Sequence, residues 1–178
     1  MWDWLAGLSG AQGAVVASLL GFGTLVAGAL FNAELNRRRD DRLRRQEAKS
    51  LAAALLAELQ GIREVFRENA NREVEADTWI VTPDINDQAV VMPKVTDKLG
   101  LLGDPELIRK LIDAHAVVRQ YYERVVMLGG VSQEPSPGRR LAHVPSPSVP
   151  SVQKLMKVTA DALTPIIVDL EALLNRRD

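Results

Sequence analysis

From Gly13 to Ala33 the chain runs 21 residues without a charged side chain, and at Glu34 charge returns in a burst. As a helix rising about 1.5 Å per residue, that run is roughly 31 Å long, close to the hydrocarbon thickness of a bilayer. A core helix of a soluble chain this small would rarely stay uncharged for so long. A cleaved signal carries a positive amino-terminal region, which MWDWLAGLSG lacks, although Ala27-Gly28-Ala29 has the small-residue look of a cleavage site. The pattern therefore predicts a transmembrane helix over 13–33. An interfacial segment over 1–12 precedes it, where Trp2 and Trp4 suit the headgroup level.

The apolar run is sided. Gly10, Gly13, Ala14, Ala17, Ser18, Gly21, Thr24, Gly28 and Asn32 share one face at 100° per residue. Val15, Val16, Leu19, Leu20, Phe22, Val26 and Leu30 fall on the other. Within the small face, Gly10, Ala14, Ala17, Gly21, Thr24 and Gly28 recur at alternating spacings of four and three. Small residues let membrane helices approach closely, and a lone span has only copies or partners to approach. These six residues are the candidate oligomer seam. Glycine and alanine are also simply common in membrane helices.

Helical pattern continues past the run. No proline occurs between Glu34 and Glu73, and Leu51, Leu55, Leu59, Ile62 and Phe66 recur every three or four residues, the mark of one buried stripe. The expectation is one helix from about Gly13 to Asn71, with a polar basic collar over 34–49. The stretch 77–100 is irregular. Its short apolar runs Trp79–Thr82 and Ala89–Met92, around a turn-like Pro83-Asp84, suggest a small hairpin or extended loop, followed by a short helix Lys94–Leu99 after Pro93 and ending at Gly100.

The clearest soluble helix is GDPELIRKLIDAHAVVRQYYERVVMLGG. Asp104 caps it, Pro105 and Glu106 suit its first turn, and Gly129 ends it. Its expected core stripe is Leu107, Leu111, Ala114, Val118, Tyr121, Val125 and Leu128. Residues 130–150 carry five prolines and predict an extended, partly polyproline strap, free or held by a partner. The last helix shows Leu155, Leu163, Ile167, Leu170 and Leu174 on one side. Pro165 is expected to kink or break it near Leu163, and Arg176 and Arg177 suit its end. The fold class is all-α: an N-terminal transmembrane helix continuous with a long cytoplasmic helix, then a small helical bundle within residues 50–178.

Charge changes this picture by giving it a direction. Residues 34–49 hold seven basic and four acidic side chains, and residues 50–178 hold fifteen basic and eighteen acidic ones. Basic residues flank only the carboxy-terminal side of the run, so the positive-inside rule expects Met1 outside and residues 34–178 in the cytoplasm of a single-pass protein. Arg37, Arg38 and Arg39 would stand at the cytoplasmic mouth, with Ser18, Thr24 and Asn32 as a mild polar lining if copies enclose a pore. A net charge of -1 gives no overall argument for nucleic acid, and Asp40, Asp41 and Glu47 dilute the arginines. With no cysteine, disulfides, thiol catalysis and thiolate metal sites are excluded.

Candidate chemistry is thin. The two histidines, His115 and His143, stand far apart, and neither has a carboxylate at metal-helix spacing, so neither metal nor cofactor is expected. No phosphate loop or nucleophile elbow is present. Ser146, Ser148 and Ser151 read as turn residues or caps. One pattern, RKLIDAH, places five residues between Arg109 and His115. It is similar to the arginine–histidine motif of the HEPN superfamily of helical ribonucleases, where imidazole moves protons and arginine stabilises phosphate charge. About 600° of helix separates the two here, so they share a face poorly, and Lys110 replaces the motif's polar residue. The plainer reading puts Arg109 in solvent and His115 at the edge of a packed face near Tyr122.

With this motif, a single amino-terminal span and a cytoplasmic helical domain, the layout resembles the membrane accessory proteins of RNA-targeting CRISPR systems. It also resembles bacterial single-span proteins with LGLL before a tyrosine-bearing helix, here Leu99–Leu102 and Tyr121-Tyr122. The first resemblance implies a homo-oligomeric pore or membrane-perturbing effector of the bacterial inner membrane, acting in antiviral defence, and no enzyme. The alternatives are an anchored adaptor for a cytoplasmic protein partner and, less favoured, a tethered ribonuclease.

Overall fold

A computed structural model describes residues 10–73, 80–83, 89–136 and 139–175. Trp2, Trp4, Trp79, Arg176 and Arg177 lie outside the described residues. The chain is mainly helical. It divides into two compact units, Met1–Arg45 and Gln46–Asp178. Helix α1 (Gly10–Ala70) supplies the first unit and opens the second. The other elements are β1 (Ile80–Pro83), α2 (Val91–Val95), a 3-10 helix (Thr96–Leu102), α3 (Pro105–Met127), β2 (Val131–Ser136), β3 (Arg139–Val144), a 3-10 turn (Ser146–Ser148) and α4 (Val149–Asn175).

The core of the second unit forms where the apolar stripes of three helices meet. From α1 come Leu51, Leu55, Leu59, Ile62 and Phe66, all buried and all on the stripe that the sequence predicts. From α3 come Leu107, Leu111, Ala114, Val118, Tyr121, Tyr122 and Val125. Helix α4 adds Val152, Met156, Ala160, Leu163, Ile166, Ile167 and Leu170. Each large side chain removed from water contributes about 1.5–3 kcal/mol. The Phe66 and Tyr121 rings meet at 4.6 Å and 58°, joining α1 to α3. Polar ties run along the edges: Gln60 donates to Glu171 at 2.9 Å, and Lys110 pairs with Asp169 at 2.8 Å.

The ends of α3 follow the sequence. Asp104 Oδ1 accepts the Glu106 and Leu107 amides at 3.0 and 3.1 Å, and Pro105 occupies the first turn. At the other end Gly129 N–H reaches the Val126 carbonyl at 3.1 Å and Gly130 N–H reaches Val125 at 3.0 Å, a Schellman closure. Gly129 has φ 100°, which favours glycine, and a Cβ at Gly130 would stand 2.9 Å from the Val125 carbonyl. Leu128, expected in the core, is instead the cap and is 38% exposed; Tyr122 takes the buried place.

Four expectations are corrected. Residues 130–150 are not a strap. β2 and β3 form an antiparallel pair, and β1 adds to β3 to give the order β1-β3-β2. The four described prolines fit because each stands where a missing donor costs little: Pro135 on an edge strand beside a register shift between Gln133 and Ser136, Pro145 after β3, Pro147 in the 3-10 turn and Pro150 in the first turn of α4; Pro137 lies outside the described residues. Of the two readings of this stretch, 77–100, a hairpin or an extended loop, the hairpin between 79–82 and 89–92 is not formed: Ile80–Pro83 pairs with Leu141–Val144, and Ala89 and Met92 are buried in the core. The short helix spans Val91–Val95, continues as 3-10 to Leu102 and ends at Gly103 (φ 69°), not Gly100. Pro165 does not break α4. It is exposed, while its neighbours Leu163, Ile166 and Ile167 are packed and hold the helix through it. On α4, Leu155 and Leu174 are only half-buried.

Tyr122 ties the sheet to the bundle. Its hydroxyl donates to the Leu141 carbonyl at 3.0 Å and lies 2.7 Å from Ser132 Oγ, so one phenol holds both strands of the hairpin. Tyr122→Phe in the full-length protein should cost about 1–2 kcal/mol. It should also speed amide exchange across residues 131–133 and 141–144. Unchanged exchange there would show that the hydroxyl does not hold the hairpin.

Candidate functional site

Among the described residues, one helix is long and apolar enough to cross a membrane, and none of its apolar window is buried within the protein. The exposure falls on large side chains: Phe22 is 67% and Leu25 73% exposed, with Leu19, Leu20, Leu30 and Phe31 close behind. Alanine and leucine keep this stretch helical despite Gly21, Gly23 and Gly28, each costing about 0.8–1 kcal/mol relative to alanine in water. A methyl group at Gly21, Gly23 or Gly28 would meet nothing within 4 Å beyond the helix's own backbone. No packing within the described protein asks for glycine at these positions.

Ala14, Ala17, Ser18, Gly21, Thr24, Gly28 and Asn32 are all exposed; the Gly10 backbone opens α1, and its surroundings lie outside the described residues. Thr24 Oγ1 donates back along the helix, 2.9 Å from both the Leu20 and Gly21 carbonyls. Its proton is thus satisfied without water, as an apolar surrounding demands. Only its acceptor lone pairs remain unused by these two contacts.

Beyond the apolar run, Arg37, Arg38, Arg39, Arg42, Arg44 and Arg45 are exposed on α1. Arg38 Nε donates to Glu34 at 2.7 Å, an i,i+4 pair open to solvent. Pairs of this kind stabilise a helix by about 0.3–0.5 kcal/mol.

The structure does not bring Arg109 and His115 together on one functional face. Arg109, 63% exposed, is held between two carboxylates of its own helix, Glu106 at 2.6 Å and Asp113 at 3.0 Å. The bond from Arg109 draws the Glu106 carboxyl below its ordinary value. His115 is half-buried and lines a small cavity with Leu55, Glu58, Leu59, Ile62, Met92, Leu111 and Val118. That cavity has room for about one water. Burial and the Arg119 charge push the His115 imidazole below its usual 6.5, against an opposing pull from Glu58.

Two features escaped the sequence. Glu58 accepts the Val91 and Met92 amides at 2.5 and 3.2 Å, capping α2 from another helix. An open groove of about 300 Å³ runs along Ser50, Leu51, Ala54, Val95 and Leu101, with Glu47 and Lys98 at its rim. Both join residues more than thirty positions apart, and no local pattern marks such a meeting. No three His, Cys, Asp or Glu side chains gather as metal ligands among the described residues.

The shifted imidazole has a consequence for stability. With a folded pKa below the unfolded one, the unfolded chain binds more protons in mildly acidic solution. Stability contributed by neutral His115 is therefore present above pH 6.5 and is lost as pH falls through the lowered value. Denaturation profiles between pH 7 and 5 should slope less in His115→Gln than in the parent. Equal slopes would remove His115 from the acid response.

Compared with protein-family models, with curated proteins and with solved structures, the chain matches none.

Proposed function

We propose that the protein is a single-pass membrane protein that assembles with copies of itself through the small-residue face of α1. The observation that carries this reading is the fully exposed apolar helix whose glycines serve no contact within the described chain. Large apolar side chains on one side suit lipid; Ala14, Ala17, Gly21, Thr24 and Gly28 on the other suit close backbone approach. The arginines after Ala33 favour a cytoplasmic second unit. The layout's resemblance to CRISPR-associated membrane accessory proteins supports an oligomeric pore or membrane-perturbing effector of an inner membrane, active in defence.

One face cannot both pack tightly and line a wide channel. A narrow assembly reconciles the two, with Gly21 and Gly28 at the contacts and Ser18 and Asn32 at the margin of the lumen. An anchored adaptor is the second reading. The apolar corner of Met127, 84% exposed, with Leu128 and Val131 favours it as a docking point for a cytoplasmic protein. Exchanging residues 13–33 for an unrelated span separates the two: an adaptor keeps its activity and a seam-driven assembly loses it.

The chain is free of cysteine, so single cysteines can report on assembly directly. In native membranes, cysteines at Ala17, Gly21, Thr24 and Gly28 should form disulfide-linked dimers, and cysteines at Leu19, Leu20 and Val26 should not. Gly21→Leu should reduce the particle in detergent to monomer. Uniform cross-linking around the helix, or an unchanged particle, would overturn the seam. An amino terminus found beyond Ala29 in the mature protein would turn the run into a cleaved signal.

A further inference from the structure

The arginines after the apolar run are not spread evenly around α1. Helix neighbours stand three and four residues apart. By that rule Arg37 and Arg44 each face carboxylates: Asp40 and Asp41 for both, Glu34 for Arg37 and Glu47 for Arg44 as well. Arg38 has Glu34 and Asp41, and Arg45 has Asp41. Arg39 and Arg42 have none. The neighbours of Arg42 at these spacings are Arg38, Arg39, Arg45 and Gln46, and those of Arg39 are Leu35, Asn36, Arg42 and Leu43. At 100° per residue Arg38, Arg39, Arg42 and Arg45 fall within one sector of about 120°. All four are exposed. α1 thus carries a charge-compensated side and a guanidinium side. Like charges at these spacings cost the helix a few tenths of a kcal/mol per pair, and that cost centres on Arg42, which has Arg38, Arg39 and Arg45 around it.

We propose that this side, centred on Arg39 and Arg42, binds the phosphates of anionic phospholipids in the leaflet next to it. The inference rests on the membrane-spanning reading of α1 and goes beyond it by naming the lipid chemistry and the face. Guanidinium groups match phosphate oxygens two at a time. Arg39 and Arg42 follow Ala33 by about 9 and 14 Å along the axis. Side chains of a helix lean toward its amino terminus, here back toward the bilayer. Spans tilt by about 20° on average, which lowers one side of the emerging helix onto the headgroups and lifts the other away. A sided cluster fits a tilted span, with the compensated Arg37–Asp40–Asp41–Arg44 side turned to water.

The test uses the full chain in nanodiscs of phosphatidylcholine with a minor share of phosphatidylglycerol, counting phosphatidylglycerol retained per protein after detergent extraction by mass spectrometry. Arg39→Gln/Arg42→Gln is compared with Arg37→Gln/Arg44→Gln, which removes the same charge from the other side. A basic residue near an anionic surface is worth roughly fivefold in binding. The first pair should therefore lower retention by roughly tenfold or more, and the second by far less. Equal losses, or no loss, would overturn the sided lipid site. Tighter binding of a single-stranded oligonucleotide than of phosphatidylglycerol vesicles to the same face, at the same salt, would overturn it in favour of nucleic acid. Alkaline carbonate extraction separates the two layers of the argument. A parent protein released from vesicles fails the spanning reading and the lipid site together, whereas a retained parent with indistinguishable variants fails the lipid site alone.

Discussion

Apolar surface on α1 has to be taken out of water, and the described chain offers nothing to cover it. Leu19, Leu20, Phe22, Leu25, Leu30 and Phe31 all stand open. At about 25 cal/mol per Å² the cost of leaving such a helix in water is many kcal/mol. That exceeds the effect of any single cap or ion pair elsewhere in the molecule. In the proposed assembly, lipid covers the bulky side and close backbone contact between helices covers the side that carries glycine.

The second unit is built on an opposite principle. Its three helices each hide their own stripe, and its polar residues are spent on local closure: Asp104 on the first amides of α3, Glu58 on those of α2, Tyr122 on the hairpin. Arg109, the most suggestive residue for chemistry, is occupied by Glu106 and Asp113. On the first unit, by contrast, Gly21, Gly23 and Gly28 meet no neighbour among the described residues, and Arg39 and Arg42 have no carboxylate at helical spacing.

How far the sequence could be read depended on the range of the signal. The stripe Leu51–Phe66, the Asp104 cap and the Gly129 ending depend on neighbours within a turn, and these expectations agree with the structure. The sheet was missed because its three strands come from two distant segments, and because prolines at 135, 145, 147 and 150 disguise β2, β3 and the start of α4. A proline count cannot distinguish residues spaced to avoid ladder donors from an unstructured strap. At Pro165 propensity argues for a kink or break, and packing on either side carries the helix through without a break. On the candidate site, the neutral run and its small face were legible from periodicity alone. The cavity beside His115 and the groove beside Lys98 were not, since each is assembled from α1 and residues well downstream.

The strand order sets a timetable for synthesis. Ile80 pairs with Val144, 64 positions later, and β3 lies between β1 and β2. Closing so long a loop is entropically slow, and β1 has no partner until the ribosome has passed the hairpin. The apolar amino-terminal helix, by contrast, is complete as soon as it leaves the exit tunnel. On the proposed membrane-spanning reading, that stretch can leave water before β1 has met its partner strand.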